Sequence, residues 1–404
     1  MRMLTINSIN KWFLFFLILY SADGISFFNH HSTPVATIFL FAVSFYWLLK
    51  NRVPFSGFII LMMPWFVYCL LSFIYFGAVR PMFFIILPTS FLGVYVLIKS
   101  NINMKIIFNS YERIIFILAK ISLFFFSWQV LNKSSLISFF SFFDFNVGNS
   151  YNNILYTIHH RSIVSDMTQN SGFAWEPGPF SCFLILSLVI YLLQTNFKLD
   201  RRGFIYVITI LSTFSTTGYL CLIILFIWYV YLKNRNHFFK IVPIALLLTS
   251  IFYFNTSILN EKIFNEITTA ENDLEFYIDN DVEQQTSIGR FNGFLLNLKD
   301  FKRYPILGYG GNFNSTFAEE NNLKITSTMG LGNYLAQYGI VGFIFLITAF
   351  YRSSFFISNL YKIEGFLFLF LIYLTICFSF NLIERSLFIL FFFIYYINQV
   401  KFLK

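Results

Sequence analysis

Charged residues are scarce in this sequence, and that scarcity excludes an ordinary soluble protein. Asp, Glu, Lys and Arg together make up 12% of the 404 residues, against roughly 25% in a typical soluble domain. Hydrophobic residues make up 57% of the chain and Phe alone contributes 59 residues, many of them in unbroken runs such as LFILFFFIYYI near the C-terminus. The composition therefore predicts an all-α, polytopic integral membrane protein.

Several chemical motifs are also missing. The four cysteines, Cys69, Cys182, Cys221 and Cys377, all fall within apolar segments, so no disulfide or zinc motif is indicated. The chain has no Walker loop, no dinucleotide fingerprint and no DxD motif near a loop mouth. We therefore expect a process that needs no cofactor, no metal and no nucleotide energy.

The positive net charge does not indicate a nucleic-acid partner. The formal charge is +9, but the basic residues lie in short clusters between apolar runs, where the positive-inside rule accounts for them. The first 24 residues have a basic flank and an apolar run without a clear small-x-small cleavage site. We interpret them as a retained first helix.

Apolar stretches long enough to cross a hydrocarbon core of about 30 Å recur along the chain. They span residues 11–28, 34–49, 55–77, 81–98, 112–131, 176–194, 203–217, 218–232, 240–257, 330–351, 363–381 and 386–400. They predict about 12 transmembrane helices, with about 10 as a lower bound, in a single transmembrane domain over residues 1–404. Residues 203–232 also fit a re-entrant pair joined at Thr216, Thr217 and Gly218.

The distribution of Lys and Arg over alternate connections predicts the orientation. The basic connections carry Lys50 and Arg52; Lys99, Lys105 and Arg113; Lys198, Arg201 and Arg202; Lys233, Arg235 and Lys240; and Arg352 and Lys362. We expect these connections and both termini to be cytoplasmic. Two long connections, residues 132–175 and 258–329, then lie on the opposite face, where long loops carry function disproportionately.

The first long loop ends in a polar segment at the membrane edge, HHRSIVSDMTQNSGFAWEPGPF. Arg161 is a permanent cation whose planar fork suits phosphate oxygens. Glu176 precedes Pro177, where a helix is expected to begin. Two structural alternatives remain open: Arg161 pairs with Asp166, or Glu176 is a first-turn acid favoured by the helix dipole and followed by proline at the first helical position.

The second long loop combines cations with glycine turns. Arg290, Lys299, Lys302 and Arg303 supply charge, and Gly308, Gly310 and Gly311 would let backbone amides approach an anion closely. Residues 290–303 fit an amphipathic interfacial helix, with Phe291, Phe294, Leu295 and Leu298 on its apolar side. The cations from Lys299 to Arg303 also fit a stripe that faces solvent or headgroups. Arg290 stands at the helix start, where cations are disfavoured, so we expect it to have a specific partner.

Three further cations lie at unusual positions. Arg80 and Arg385 occur at the outer mouths of predicted helices, and Lys120 lies within the fifth apolar segment, where an ionisable group is costly and a functional role is the first hypothesis. Alternatively, Arg385 pairs with neighbouring Glu384, and Lys120 extends its ammonium group toward the interface.

These loops carry motifs in a recognisable order. Arg161 and Gly172 are separated by ten residues and followed by Glu176-Pro177. Arg290, then residues 305–310 (PILGYG), 333–335 (NYL) and 339–342 (GIVG), follow before and within the tenth predicted helix. In this order, the chain resembles an O-antigen polymerase of the Wzy type, within the superfamily that includes O-antigen ligases. The Arg-x10-Gly spacing survives in the second loop only as Lys299 to Gly310.

The resemblance implies a GT-C-like fold and transfer of a growing glycan from undecaprenyl diphosphate to a sugar hydroxyl of another carrier-linked repeat unit. It implies Arg161, Arg290, Arg80, Arg385, Gly308 and Gly310 as diphosphate-binding residues, and His159, His160, Tyr309, Asn333 and Lys299 as substrate-binding residues. Glu176 is the candidate catalytic carboxylate, which accepts or orients the hydroxyl proton, and the His159 and His160 pair is the second choice. Arg161 and Arg290 are expected to stabilise the leaving group. The implied setting is a bacterial inner membrane, with membrane lipids and a chain-length regulator as partners and a periplasmic active site.

Two alternatives to polymerisation remain. A ligase passes the same donor to lipid A core, but that branch has a histidine shortly before the Asn-Tyr-Leu motif, where this chain has residues 327–331 (STMGL) and no histidine follows His237. A twelve-helix lipid flippase or transporter matches the helix number, although its outer loops are usually short.

Overall fold

The computed structural model describes residues 8–24, 33–77, 81–101, 103–142, 150–152, 154–159, 168–235, 243, 286–288, 290–323, 325–327 and 329–400. Within these ranges the protein is built almost entirely of α-helices. Five of the helices are long and apolar enough to cross a membrane, and four shorter apolar helices accompany them. The prediction of an all-α polytopic membrane protein is confirmed.

The first half of the chain follows the predicted segments closely. Its helices are α1 (Ser8–Ala22), α2 (Thr33–Lys50), α3 (Phe55–Phe76), α4 (Pro81–Lys99), α5 (Met104–Leu131) and the short α6 (Lys133–Phe140). The fifth helix begins eight residues before its predicted start at 112, because its first two turns mix charged and apolar residues that hydropathy alone passes over. A small hairpin of β1 (Tyr151–Asn152) and β2 (Thr157–Ile158) lies in the first long loop.

The next three helices form the centre of the protein. Helix α7 (Pro177–Gln194) is almost wholly buried along its length and packs against α5, α8 (Arg201–Ser212) and α9 (Thr216–Lys233). Helix α8 has 12 residues, which gives a length of about 18 Å, shorter than the hydrocarbon core. Residues 203–232 therefore form a short helix and a longer one, divided at Thr213–Ser215 rather than at Thr216–Gly218.

The second long loop supplies elements that pack on the membrane helices. They are β3 (Thr286–Ile288), α10 (Arg290–Arg303), a single 3₁₀ turn (Phe313–Ser315), α11 (Phe317–Glu320) and β4 (Ile325–Ser327). Strands β3 and β4 pair in parallel. Apart from residue 243, the predicted span 240–257 lies outside the described residues.

The C-terminal helices are α12 (Gly330–Tyr361), α13 (Phe366–Ser379), α14 (Ser386–Phe392) and α15 (Ile394–Gln399). The predicted span 386–400 is thus two short helices divided at Phe393, whose backbone leaves the helical range. Helix α12 is interrupted at Gly339, where φ is 64° and ψ is −168°. Both breaks are invisible to hydropathy because the apolar pattern runs through them.

Apolar side chains occupy both the core and the lipid-facing surface. Helix α3 exposes Met63, Leu70 and Ile74 at about two thirds of their surface, as a lipid-facing helix does. All four cysteines are buried with free thiols. Near the cytoplasmic end expected from the charge pattern, the Arg202 guanidinium donates to buried Glu112 at 2.6 Å and ties α8 to α5.

Candidate functional site

The end of the first long loop folds back into the protein. The Asn170 side chain donates to Ser122 on α5 and Ser212 on α8, at 3.3 and 2.9 Å, and its carbonyl oxygen accepts from the Gly172 amide. Asn170 and the residues up to Ala174 are buried. This anchor fixes where the chain emerges to begin α7.

Gly172, the glycine of the first motif, is required by this packing. Its φ is +51°, and a Cβ added there would lie 2.4 Å from the Phe180 ring. Only glycine adopts this conformation without a steric penalty and leaves the space that the ring fills. Packing against Phe180 therefore accounts for the motif glycine, which sets the path of the loop.

Glu176 directly precedes α7 in extended backbone and makes no capping hydrogen bond with its own helix. His159 lies beside it, with Nε2 3.9 Å from Glu176 Oε1, and the Glu176 side chain is 46% exposed. The structure thus brings together the predicted catalytic carboxylate and one of the two predicted histidines. Three other predicted site residues lie outside the described residues: Arg80, His160 and Arg161.

Arg290 is the first residue of α10, as predicted, and the structure identifies its neighbours. Its Nη1 donates to Thr216 Oγ1 at 3.2 Å, and the guanidinium lies over the Phe380 ring, 5.1 Å from the ring centre. Thr216 opens α9, and Phe380 directly follows α13. Arg290 therefore sits where the second loop meets two membrane helices.

Four helix starts converge around this point. The first turn of α7 contacts the start of α9 through Ser181 Oγ and Ser215 Oγ, 3.1 Å apart, and Gly178 lies against the Phe380 ring. Gly330, the first residue of α12, packs on the Phe380 carbonyl. With α10, these are four N-termini, each carrying a partial positive charge. Together with Arg290 they make this end of the protein suitable for an anion.

Arg385 forms a partly buried ion pair, and its partner is not the one expected. Its Nη2 lies 2.7 Å from Asp23 Oδ2, and its guanidinium stacks on Trp175, the residue before Glu176. The alternative in which Arg385 pairs with Glu384 is wrong: Asp23, just past the end of α1, takes that place. The pair joins the first helix to the site.

Glu384 is a site residue that sequence reasoning missed. Its Oε1 accepts a hydrogen bond from the Tyr338 hydroxyl at 2.7 Å. Burial raises the pKa of this carboxyl, while the Tyr338 hydrogen bond and Arg385 oppose that shift. In the sequence, Glu384 is an acidic residue in an otherwise apolar stretch at a predicted helix mouth, and such a position indicates a functional role. The neighbouring Arg385 offered a simpler explanation, because the two could form an ion pair.

The PILGYG segment packs into the break of α12. The amides of Gly308 and Gly310 donate to the carbonyls of Tyr304 and Gln337, both at 2.9 Å, and the Ile340 amide, freed by the break, donates to Pro305 at 2.9 Å. Both glycine amides are engaged inside the protein. Close backbone packing uses these donors, and the predicted contact of Gly308 and Gly310 with an anion stays a prediction.

Tyr68 on α3 reinforces that packing. Its hydroxyl group lies 2.8 Å from the Leu307 carbonyl and 3.0 Å from the Gln337 carbonyl. Tyr309, the motif tyrosine, reaches Asn333 Oδ1 at 3.3 Å. Two predicted substrate-binding residues are thus brought together, on the first turn of α12 and the loop that packs against it.

Helix α10 has the predicted bounds, and the side that it buries against the rest of the protein is mostly polar. Its buried residues are Asn292, Gly293, Leu296, Asn297 and Asp300, whereas Phe291 is exposed. The apolar side therefore points outward, as expected for an interfacial helix, and the polar side docks on α12 and β4, with Asn297 bonded to Ser327.

The other predicted cations have local partners. Lys299 lies over the Phe317 ring at 4.3 Å, and Arg303 pairs with Glu320. Lys120 is exposed on α5 beside the Phe116 ring. The structure thus gives Lys299 a contact with α11, and its predicted contact with substrate stays a prediction.

Comparison with known proteins gives one match. Residues 203–347, less than half of the chain, match the family model described as O-antigen ligase, Wzy_C. The matched range contains α8, α9, the second long loop with Arg290, and the interrupted helix α12. A search of curated proteins gives no match.

Proposed function

We propose that this chain, a member of the O-antigen ligase and polymerase superfamily, is a polymerase of surface-polysaccharide repeat units. A function of the ligase or polymerase type follows from the family match. The reaction we propose transfers the growing glycan from undecaprenyl diphosphate to the non-reducing-end sugar of another carrier-linked repeat unit. The donor and acceptor are lipid-linked oligosaccharides, which suits a catalytic site at a membrane surface.

The polymerase assignment rests on a specific departure from the ligase pattern. The ligase branch carries a histidine shortly before its Asn-Tyr-Leu motif, and here that stretch is STMGL. In the structure Gly330, within this stretch, packs on the Phe380 carbonyl, and the Phe380 ring contacts Arg290. Without the histidine, a ligase lacks its characteristic side chain.

The observation that carries the proposal is the set of groups around Arg290. A diphosphate leaving group accumulates negative charge as the glycosidic bond breaks, and fixed cationic groups in a partly desolvated site stabilise that charge. Arg290 and the four helix starts supply such groups. We assign diphosphate binding to Arg290 and Arg161, with Arg80 on the same expected face. Arg385, which is paired with Asp23, positions the site.

Glu176 and His159 are the groups we assign to the acceptor sugar. Both are partly exposed and lie close to each other, and carboxylate and imidazole side chains bind and orient sugar hydroxyls. We place Tyr309, Asn333 and Lys299 along the same glycan path. The enzyme we propose lies in the bacterial inner membrane with cytoplasmic termini and a periplasmic site, and a chain-length regulator is its proposed partner.

The test is polymerisation by purified protein in detergent or proteoliposomes with a lipid-linked repeat unit as donor and acceptor. The wild-type protein should give a ladder of longer glycans on gels. Arg290→Ala should lower the rate at least about 100-fold, the loss typical of one leaving-group contact, and Arg161→Ala should act similarly. Lys302→Ala is the matched control, because Lys302 is an exposed cation on the same helix.

Two outcomes would overturn parts of this assignment. Full polymerisation by both arginine variants would exclude their role at the leaving group. Deletion of the gene separates the two members of the superfamily: loss of a polymerase leaves core plus one repeat unit on the surface lipid, whereas loss of a ligase leaves no repeat unit attached.

A further inference from the structure

Glu384 lies in the short connection between α13 and α14, within the site itself. The connection begins at Phe380, whose ring lies under Arg290, and ends at Arg385, which stacks on Trp175. Two hydrogen bonds fold it tightly, from the Leu382 amide to Phe380 and from the Arg385 amide to Leu382. Glu384 therefore lies in the same short connection as Phe380, the residue whose ring contacts the proposed diphosphate-binding cation Arg290.

Within the part of the chain that the structure describes, the Glu384 carboxylate has no ion-pair partner, and no cation other than the adjacent Arg385 opposes the rise of its pKa. The Tyr338 hydroxyl donates to Oε1, and the adjacent Arg385 is turned away to Asp23. No Lys, Arg or His among the described residues pairs with Glu384. The side chain is only partly buried, so it remains accessible for a substrate hydroxyl.

Glu176 and Glu384 are each next in the chain to one partner of the same cation–π contact. Trp175 and Arg385 stack on each other; Glu176 follows Trp175 in the chain, and Glu384 precedes Arg385. Adjacent Cα atoms are about 3.8 Å apart, so both acids belong to the same small region. Such a pair allows one acid to orient the acceptor and the other to take its proton.

The environments of the two acids differ. Glu176 stands at the start of α7, where a negatively charged side chain interacts favourably with the helix dipole. Glu384 faces Tyr338, with Tyr334, Tyr68 and Arg385 also nearby. Burial raises the pKa of Glu384, and a carboxylate with a raised pKa is the stronger proton acceptor.

We propose that Glu384 is the proton acceptor of the transfer, and that Glu176 orients the acceptor hydroxyl. The hydroxyl oxygen bonds to the anomeric carbon of the donor, the bond from that carbon to the diphosphate oxygen breaks, and its electron pair leaves on the diphosphate beside Arg290. The hydroxyl proton moves to Glu384 and is released to water afterwards. This assignment rests on the proposed glycosyl transfer and adds the residue that removes the proton.

The first experiment compares Glu384→Gln with wild-type protein in the purified polymerisation assay. We expect the Gln variant to lose about 100-fold to 10,000-fold in kcat, the contribution of a general base, with a KM close to wild type. Glu364→Gln is the matched control, because Glu364 is an exposed glutamate paired with Arg235 near the opposite face, and it should keep the wild-type rate. A Glu384→Gln rate within twofold of wild type overturns the proposal.

The second experiment measures the pH profile of kcat/KM for Tyr338→Phe. If Glu384 had only a structural role, this profile would not shift. Loss of the hydroxyl removes a hydrogen bond that stabilises the carboxylate, so the pKa of Glu384 rises. The acidic limb of the pH profile of kcat/KM should move to higher pH, while the rate at its plateau stays near wild type. An unmoved limb overturns the assignment even where Glu384→Gln fails to fold. Absence of wild-type polymerisation would instead refute the proposed function itself.

Discussion

Asp300 on α10 shows how burial and hydrogen bonding compete at a single carboxyl group. Its Oδ1 accepts from the Phe317 amide at 2.6 Å and so holds the start of α11. The residue is only 4% exposed. Burial raises the pKa of this carboxyl above its ordinary value of 3.8, and the hydrogen bond from Phe317 and the charge of Arg303 only partly oppose the shift. The negative charge is thus a cost to folding that the amide bond offsets in part.

This balance predicts how Asp300→Asn changes stability with pH. Because the folded pKa lies above the unfolded one, the folded protein binds the proton more tightly, and stability falls as pH rises through the folded pKa. Asn keeps an oxygen for the Phe317 amide but carries no charge. We expect the difference in apparent Tm, Asp300→Asn minus wild type, to increase as pH rises from below 3.8 through the folded pKa. Above that pKa the difference should stay constant.

The measurement is thermal unfolding of both purified proteins in detergent across that pH range. Asp200, which caps α8 and whose pKa is lowered mainly by a hydrogen bond with Tyr191, provides the opposite case. An Asp200→Asn variant should lose stability relative to wild type as pH rises. A difference for Asp300→Asn that shrinks with rising pH would contradict the prediction.

Sequence reasoning pointed to two residues of the proposed site because each residue type stands out at its local position. Arg290 stands at a helix start and Glu176 precedes a proline, and both positions are readable from the chain alone. Glu384 was missed because its neighbour Arg385 offered an adequate partner in sequence. The actual partner, Asp23, is 362 residues away, and no local pattern encodes such a contact.

At the scale of elements, the break in α12 is the feature on which the second motif depends. Gly339 has a backbone conformation open essentially to glycine alone. A Cβ there would lie 2.2 Å from the Ile306 carbonyl oxygen. The break frees backbone amides of α12, which donate hydrogen bonds to carbonyls of the PILGYG segment. The PILGYG and GIVG motifs therefore form one contact between the second loop and α12.

Gly339→Ala should destabilise the protein by at least about 2 kcal/mol, the sum of backbone strain and a steric clash. We expect a lower apparent Tm in detergent and a loss of polymerisation, because the contact between PILGYG and GIVG supports the start of α12 beside Arg290. Gly77→Ala is the matched control: Gly77 also has a positive φ, at 71°, but nothing lies within 4 Å of the added Cβ. It should cost about 1 kcal/mol; equal effects of both variants would refute the packing argument.

Element boundaries were predicted well where apolar runs end in polar residues or glycine. Helices α2, α7 and α9 match their predicted spans within a few residues. The division of 386–400 at Phe393 and the short α8 were not predicted, because both depend on tertiary packing: α14 is wholly buried, and the end of α8 is fixed by Asn170. Hydropathy measures affinity for lipid and carries no information about such contacts.

On the scale of the whole molecule, charge is distributed unevenly between the two ends of the bundle. The proposed site gathers Arg290, Arg385 and two carboxylates among helix starts. Helices α7, α9 and α12, which begin there, end at the opposite side in connections carrying Lys198, Lys233 and Lys362. From the positive-inside rule we propose that this opposite end is cytoplasmic and that the site faces the periplasm.

Cysteine labelling tests this orientation without engineering a cysteine-free background, because all four native cysteines are buried. Lys302→Cys, an exposed position on α10, should react with a membrane-impermeant maleimide in intact spheroplasts. Glu364→Cys, exposed between α12 and α13, should react only after permeabilisation, and unmodified protein should stay unlabelled in both. The reverse pattern would place Arg290 and Glu384 on the cytoplasmic face, where a periplasmic polymerase could not use them, since its lipid-linked donor would be presented on the other side of the membrane.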